Sequence, residues 1–412
     1  MPTFIKNIKE LVQVEENPVL YRAGKDMSIL HTVKNAWLKI EGDTIADFGT
    51  MDTFPQQTTD TVIDADGGMV FPSFCDSHTH LVYSGSREIE YIDKIKGLSY
   101  EEIAKRGGGI LNTAKRIHEA SEEELFADAW RRLEEIKQYG TGAVEIKSGY
   151  GLTTEDELKM LRVIKSLKAE SELTIKANFL AAHAVPMEYR GRQSEYVDLI
   201  INEMLPRVGE EKLADFIDVF CDKGFFTVEE TDRILAAGAK YGLIPKIHAN
   251  ELDYSGGIQI GVKHNALSVD HLEYTGDDEI KSLLNSQTMP TLLPGAAFFL
   301  GMVYAPVRKM ITAGLPVAMA SDFNPGSSPS GNMQLILSMG CIKYKMLPEE
   351  AINAVTLNSA YAMGCSRTHG TIARGKVANL FITKPIPTYE FMPYAYGSNK
   401  VKTVILNGKV KC

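Results

Sequence analysis

The middle of the chain alternates short apolar runs with longer amphipathic segments. Eight of the runs have the length and the aliphatic content of buried strands. They occupy residues 69–74 leading into His78, then 142–146, 173–180, 216–220, 244–248, 266–271, 288–293 and 316–322. Because helix-favouring segments separate them, the pattern predicts an α/β fold, a (β/α)8 TIM-like barrel whose active site lies at the carboxyl ends of its strands.

Capping boxes mark the starts of several of the intervening helices. In this motif a Ser or Thr and a Glu three residues later satisfy two backbone amides that the first helical turn leaves free. The pairs are Ser99 with Glu102, Ser121 with Glu124, Thr154 with Glu157 and Thr227 with Glu230.

The two chain ends show a different pattern, in which short strand-like pieces are separated by turn residues. Examples are residues 36–40 and 44–48 near the start, and 379–383 and 401–408 near the end. Neither end has enough strands for a core of its own. We therefore expect the ends, residues 1–65 and 367–412, to form one small β-sandwich domain into which a barrel of residues 66–366 is inserted.

Composition and charge narrow the classes of partner. The chain has 412 residues, is 44% hydrophobic and carries a net charge of -9. Binding to nucleic acid or to an anionic membrane needs a basic face, which this chain lacks. The first residues lack a signal-peptide core, and no later apolar stretch reaches the roughly 18 residues that span a bilayer. We expect a cytoplasmic protein that binds a small molecule and neither nucleic acid nor membrane.

The cysteines give no sign of a disulfide framework or of a thiolate zinc site. They number five, are scattered and form no C-x-x-C pair. We expect them to be reduced and structural.

Histidines and acids fall at the ends of the predicted strands. His78 and His80 close the first run, and side chains two residues apart on a strand point to the same face. An isolated His-x-His is as readily a chance dipeptide on a loop. His248 and Asp322, however, end the fifth and eighth runs. Since strand ends meet at one mouth of a barrel, these four side chains are predicted to hold a divalent ion with one position open for water.

Several longer motifs resemble one protein family. Residues 76–88, Asp-Ser-His-Thr-His-Leu-Val-Tyr-Ser-Gly-Ser-Arg-Glu, are similar to the amidohydrolase superfamily and, within it, to the imidazolonepropionase family. The further matches are residues 105–110, 145–152, 182–186, 218–222, 248–251, 270–273 and 321–326. Pro72-Ser73 departs from the Pro-Gly that is usual in the superfamily, which affects one local turn.

The resemblance implies a reaction. It is the metal-dependent hydrolysis of the cyclic C–N bond of 4-imidazolone-5-propanoate to N-formimidoyl-L-glutamate, in histidine degradation. Glu251 lies three residues beyond His248 and is the expected general acid/base. His271 would polarise the carbonyl or orient the water, and Asp322 would move a proton while binding the ion. We expect one ion, zinc or iron, although Lys147 or Glu145 would be the residues to consider for a second.

The substrate also carries a propanoate, and a planar guanidinium is the best partner for a carboxylate. Arg87 is the expected partner. The resemblance implies further pocket residues and a homodimer. Those residues are Tyr100, Tyr150, His183, Glu251, Asn324, Gly326 and Ser327. The glycine run 107–109 lacks the Gly-Lys-Ser/Thr of a phosphate loop, so it is expected to form a turn near the mouth.

Two other functions stay open at this point. A related amidohydrolase, such as a deaminase of a small heterocycle, would share the metal ligands but need a different pocket. A metal-binding protein without catalytic activity would leave Glu251 and His271 without a role.

Overall fold

The middle of the chain contains eight parallel strands, which are formed by the apolar runs that predicted them. The computed structural model describes residues 2–55, 61–98 and 109–411. Within them the strands, numbered in chain order, are β1 (Thr3–Val12), β2 (Thr32–Glu41), β3 (Thr44–Thr50), β4 (Thr61–Asp64), β5 (Val70–Pro72), β6 (Phe74–Thr79), β7 (Thr141–Lys147), β8 (Thr174–Ala182), β9 (Phe216–Cys221), β10 (Ile244–Ala249), β11 (Ser268–His271), β12 (Met289–Leu292), β13 (Ala318–Met319), β14 (Leu380–Thr383), β15 (Val401–Leu406) and β16 (Lys409–Val410).

Strands β6 to β13 pair in sequence order to form the barrel. Its last strand has only two residues, and closure onto the first strand takes place just beyond it. There the amide of Asp322 donates to the carbonyl of His78 (3.0 Å), and the amide of His80 donates to the carbonyl of Phe323 (2.9 Å). The barrel fold is confirmed, and its seam brings the first and last predicted metal ligands together.

Helices follow the barrel strands and cover the outside of the sheet. They span Glu88–Ile95, Ile110–Glu119, Glu122–Gln138, Thr154–Glu170, Gln193–Leu199, Leu205–Glu211, Val228–Ala239, Gly257–Lys263, Asp277–Leu284, Pro294–Leu300, Val307–Ala313, Met333–Lys343, Pro348–Val355, Leu357–Ala362 and Phe391–Tyr394. A π-helical segment, Ile200–Met204, joins two of them, and 3-10 turns cover Gly24–Ser28, Met51–Thr53 and Met187–Tyr189.

The capping boxes at Ser121 and Thr227 are confirmed. The one predicted at Thr154 is wrong by one residue, because Thr153 caps that helix and accepts from the amide of Asp156. Glu157 faces inward and accepts from backbone amides of the preceding loop, including that of Gly151 at 2.7 Å. The box predicted at Ser99 lies outside the described residues.

The first apolar run does not form one strand. Val70–Pro72 belongs to the sheet of the chain ends, whereas Phe74–Thr79 opens the barrel. The change of partner takes one step, because the amide of Ser73 donates to Asn379 and the amide of Phe74 to Gly140, both at 2.9 Å. The prediction of a single strand entering His78 is wrong here, since an unbroken apolar run does not reveal which sheet each residue joins.

Both chain ends contribute to a second sheet, in the order β16-β15-β14-β5-β1-β2-β3, with β4 also paired to β1. Its own apolar core includes Ile8, Leu38 and Ile405. Phe381 on β14 stacks on Phe71, with ring centroids 5.2 Å apart, and contacts Phe74 at 5.0 Å. This sheet therefore packs against the start of β6, the strand that ends at the paired histidines. The exact domain boundaries stay predictions.

The described residues contain free cysteines and no helix suited to a bilayer. Cys75, Cys221, Cys341 and Cys365 are free thiols there, and Cys412 lies outside them. None of the helices described is long and apolar enough to cross a bilayer.

Candidate active site

The carboxyl ends of the barrel strands surround a cavity of about 620 Å³. Most of the residues predicted from the sequence line it. The lining comprises His80, Arg87, Lys94, Ile110, Tyr150, His183, Phe220, Lys223, Gly224, Phe225, His248, Glu251, Leu252, His271, Leu300, Asp322, Asn324, Gly326 and Ser327. Tyr100 and the first two glycines of the run 107–109 lie outside the described residues.

The four predicted metal ligands lie close together at the base of this cavity. Nε2 of His78 and Nε2 of His80 are each 3.5 Å from Oδ1 of Asp322. The rings of His78 and His248 are 4.5 Å apart. Asp322 has a φ of +53°, a left-handed conformation that is rare outside glycine and is found at functional sites. The turn comes at the barrel seam, where it brings the carboxylate toward the histidines.

The unpaired atoms of these histidines fit a metal ion. Nε2 of His78 and Nε2 of His248 are buried and have no hydrogen-bond partner among the described residues, and Nε2 of His80 faces Oδ1 of Asp322. Burial, together with the charge of Lys147 and of neighbouring imidazoles, holds the pKa of His78 well below its ordinary value. The ring is therefore neutral at pH 7, the form that binds metals. The arrangement of buried, neutral donors beside a carboxylate supports a bound cation.

Two further histidines approach the same point. His271 lies with His78 and His248, and His183 lies with His80 and His248, in groups whose donor atoms are within 4.8 Å of one another. The ring of His183 stacks on that of His80 at 5.1 Å, and its Nδ1–H donates to the carbonyl of Gly149 (3.1 Å). Its Nε2 consequently carries a free lone pair.

Buried carboxylates contact two of the predicted ligand histidines at the ring nitrogen opposite the proposed metal position. Nδ1 of His78 lies 2.6 Å from Oδ2 of Asp270, and Nδ1 of His248 lies 3.1 Å from Oδ1 of Asp218. A carboxylate at one ring nitrogen fixes the tautomer and leaves the other nitrogen free for a metal. No role was predicted for these two acids, although each is a charged residue within an apolar strand.

Two lysines neutralise this layer of acids inside the barrel. Nζ of Lys147 is 2.5 Å from Oε1 of Glu145 and 2.7 Å from Oδ2 of Asp218. Lys246 pairs with the other oxygen of Glu145. All four side chains are fully buried. Burial alone would lower the pKa of Lys147, but Asp218 and Glu145 raise it above its ordinary value, so it is an ammonium ion. An ammonium in three-way ion pairing is not available for a carboxylated lysine bridge to a second metal.

Glu251 lies beside His271 at the wall of the cavity. Its Oε2 is 3.7 Å from Nε2 of His271. Burial, then the charges of Asp322 and Asp222, raise the pKa of Glu251 to about 8. Asp222 also accepts from the amide of Glu251 at 2.7 Å and so fixes the loop that carries it. After Asp270 and Asp218, Asp222 is the third acid whose contact the sequence did not reveal.

Arg87 lines the cavity beside Gly326, in the loop that follows Asp322. Its Nε donates to Oγ1 of Thr113 (2.8 Å), and its guanidinium lies 5.6 Å from the centre of the Tyr150 ring. Its Nη2 is buried and has no partner among the described residues. A buried guanidinium nitrogen without a partner among the described residues, at the wall of a cavity, is suited to an anionic group of a ligand.

The loop that follows Asp322 is held by its own side chains. Oδ1 of Asn324 accepts from the amides of Gly326 and Ser327 (2.7 and 2.8 Å), and its Nδ2 donates to the carbonyl of Asp322 (2.7 Å). Oγ of Ser327 donates to Oδ2 of Asp322 (3.2 Å). The loop thus presents a defined wall to the cavity and supports the carboxylate of Asp322.

Comparison with known proteins identifies the family of this chain. A model of the amidohydrolase family matches residues 87–411. The imidazolonepropionase of Christiangramia forsetii is 55% identical over 410 residues, which cover 100% of this chain and 100% of that protein. The imidazolonepropionase of Geobacillus kaustophilus is 42% identical and covers 99% of this chain and 97% of that protein.

Solved structures share the fold at much lower identity. A 5-methylcytosine deaminase from Klebsiella pneumoniae, liganded with phosphonocytosine, has a TM-score of 0.74 at 18% identity, over 100% of this chain and 98% of its own. A guanine deaminase from C. acetobutylicum with bound guanine has a TM-score of 0.70 at 14% identity, over 100% of both chains. The resemblance seen in the sequence motifs is confirmed by the two full-length relatives. The chain belongs to the imidazolonepropionase family of the amidohydrolases.

Proposed function

We propose that this chain hydrolyses the cyclic C–N bond of 4-imidazolone-5-propanoate to give N-formimidoyl-L-glutamate in histidine degradation. The observation that carries the proposal is the 55% identity, over its full length, to a protein named imidazolonepropionase. The cavity supports it independently, because imidazoles, carboxylates and a guanidinium whose Nη2 has no partner among the described residues line the same space.

In this proposal His78, His80, His248 and Asp322 hold one metal ion. Their buried lone pairs and their shared position at the barrel seam support the assignment. When bound, such an ion lowers the pKa of water toward 7 and acts as a Lewis acid on a carbonyl oxygen. Asp270 and Asp218 keep the rings of His78 and His248 in the orientation that this binding requires.

Glu251 is the proposed proton carrier. Hydrolysis adds water to the ring carbonyl carbon, breaks its bond to the ring nitrogen, and must deliver one proton to that nitrogen. A carboxyl whose pKa is raised to about 8 exchanges protons readily near neutral pH. Glu251 therefore takes a proton from the attacking water and returns it to the leaving nitrogen.

His271 is proposed to act on the carbonyl. Its φ of +83° is left-handed and turns the side chain at the end of β11 toward the cavity. Burial holds its pKa well below the ordinary value, so the ring is neutral. A neutral imidazole donates one N–H, which is sufficient to stabilise negative charge developing on the carbonyl oxygen.

Binding of the propanoate is assigned to Arg87, with Tyr150 and His183 lining the pocket. Tyr100, which lies outside the described residues, is proposed as a substrate-binding residue from the family resemblance alone. Asn324, Gly326 and Ser327 form the wall beyond Asp322 and contact substrate or product through their loop. The unpaired Nη2 of Arg87 supports its part of this assignment.

An assay of Glu251→Gln tests the proposal. The loss of ultraviolet absorbance of the imidazolone is followed for wild type, Glu251→Gln and the control Asp253→Asn. Asp253 is a partly exposed acid on the same loop, and its carboxylate pairs with Lys223. We expect kcat to fall about 10²- to 10⁴-fold in Glu251→Gln and to stay within about twofold in Asp253→Asn. Unchanged turnover in Glu251→Gln would reject the role, and preferred turnover of a guanine-like ring by wild type would reject the substrate.

The finer features of the proposal are one zinc or iron ion per subunit, a homodimer and a cytoplasmic location. The donor set of nitrogen and oxygen atoms suits either metal. Anaerobic elemental analysis of the purified protein identifies the ion, and dialysis against a chelator should abolish hydrolysis until that ion is restored. Light scattering on a sizing column measures the oligomeric state.

A further inference from the structure

A second cation, Lys94, lines the cavity on the side of Arg87. It lies on the helix Glu88–Ile95, which begins one residue after Arg87. Its Nζ donates to the carbonyl of Gly326 at 3.2 Å. A Cβ atom built on Gly326 would lie 2.3 Å from Nη1 of Arg87, so both cations approach the same glycine. Two residues seven positions apart thus place positive charge at one edge of the cavity.

Within residues 2–55, 61–98 and 109–411, these two positive charges have no carboxylate oxygen within ion-pairing distance. Half-burial and then the charge of Arg87 lower the pKa of Lys94, while Glu90 opposes this effect. The carboxylate of Glu90 is occupied elsewhere, because it accepts from the amide of Gly109 (2.8 Å) and from Nδ2 of Asn112 (3.0 Å).

Like charges in a half-buried position repel each other, and the repulsion is stronger there than in water. An anion bound between them would remove this cost and gain charge-assisted hydrogen bonds from both. We infer that Lys94 is a specificity-determining residue, which together with Arg87 binds the carboxylate of the substrate. The inference rests on the proposed function for the identity of that carboxylate.

A purely structural lysine would behave differently. If Lys94 served only to tie its helix to the carbonyl of Gly326, its loss would disturb the cavity wall for every substrate. If it binds the carboxylate, its loss matters only for ligands that carry one. Paired ligands with and without the carboxylate therefore separate the two roles.

The experiment compares Lys94→Met, Lys94→Arg and the matched control Lys96→Met, an exposed lysine at the end of the same helix that does not line the cavity. Each is assayed with 4-imidazolone-5-propanoate and with the analogue in which ethyl replaces the propanoate. For the propanoate substrate we expect KM to rise about 10- to 100-fold in Lys94→Met with kcat within about twofold. Lys94→Arg should recover most of the loss, and Lys96→Met should match wild type.

With the ethyl analogue, wild type and Lys94→Met should have equal kcat/KM. An equal fall for both substrates, or no change for either, would overturn the inference. Calorimetric binding of imidazole-4-propanoate against 4-ethylimidazole gives a readout that does not depend on turnover. If wild type fails to hydrolyse the imidazolone, the proposed function fails. A loss of the carboxylate preference in Lys94→Met would still support the role of Lys94, whereas an unchanged preference would reject it.

Discussion

Replacing Lys147 by Met should destabilise the protein far more than the loss of an ordinary ion pair. Lys147 neutralises a layer of acids that is completely enclosed by the barrel. The layer holds three carboxylates, those of Glu145, Asp218 and Asp270, against the two ammonium groups of Lys147 and Lys246. After the substitution three acids would face a single ammonium group.

The magnitude follows from the geometry. Nζ of Lys147 lies 2.5 and 2.7 Å from two carboxylate oxygens, and all three side chains are 0% exposed. Removing one partner of a buried ion pair leaves an uncompensated charge in a medium of low polarity, which costs about 3–5 kcal/mol. A solvent-exposed pair is worth about 0–1 kcal/mol.

Lys176→Met provides the matched control. Lys176 lies on the neighbouring strand β8 but faces outward, 3.3 Å from Asp215, with both side chains about a quarter exposed (28% and 25%). Urea titrations of the metal-free variants, followed by circular dichroism at pH 7, compare the free energies of unfolding. Because its folded-state pKa is raised, Lys147 stabilises fully below the unfolded value of about 10.4 and loses the effect only above it. The difference should therefore be constant from pH 7 to pH 9.

A loss in Lys147→Met of less than about 1 kcal/mol, equal to that of Lys176→Met, would refute the reasoning. It would mean that the acids of the layer become protonated or hydrated at little cost.

Three smaller changes have distinct signatures. Asp270→Asn should weaken metal binding about 10- to 100-fold in competition with a chromogenic chelator, because His78 loses the carboxylate that orients its ring. Unchanged affinity would count against this role of Asp270. Arg87→Met should raise KM for the propanoate substrate about 10- to 100-fold in steady-state assays, and Arg87→Lys should restore only part of the lost affinity. Full recovery in Arg87→Lys would argue against a contact in which two guanidinium nitrogens bind the carboxylate. Ser121→Ala should cost about 1 kcal/mol in thermal unfolding, since Ser121 caps the helix Glu122–Gln138; an unchanged midpoint would show that the cap is dispensable.

The barrel was predictable because each buried strand corresponds to an apolar run of characteristic length in the sequence. The positions of His78, His248 and Asp322 followed from the same count, since parallel strands end at one mouth. Their convergence therefore needed no knowledge of individual contacts.

Other features depend on contacts that no local pattern encodes. Glu145 and Lys147 alternate with Ile146, which indicates a shared face but not that the face is the closed interior of the barrel. Asp222 is a polar residue just after a strand, and only the fold shows that it accepts from the amide of Glu251. Lys94 lies on a helix whose pattern suggests an ordinary exposed charge, and its approach to Gly326 joins segments 232 residues apart.

At Ser73 the chain passes from the terminal sheet directly into the barrel, so the barrel and the terminal sheet are not independent modules. A fragment beginning near residue 66 and ending near 366 would keep Val70–Pro72 but lose β14, the strand that covers it and carries Phe381. An uncovered apolar edge is a template for pairing between chains, so such a minimal fragment would tend to aggregate. The terminal sheet would for the same reason be difficult to exchange between relatives without also exchanging β6, the strand that contains His78 and leads into His80.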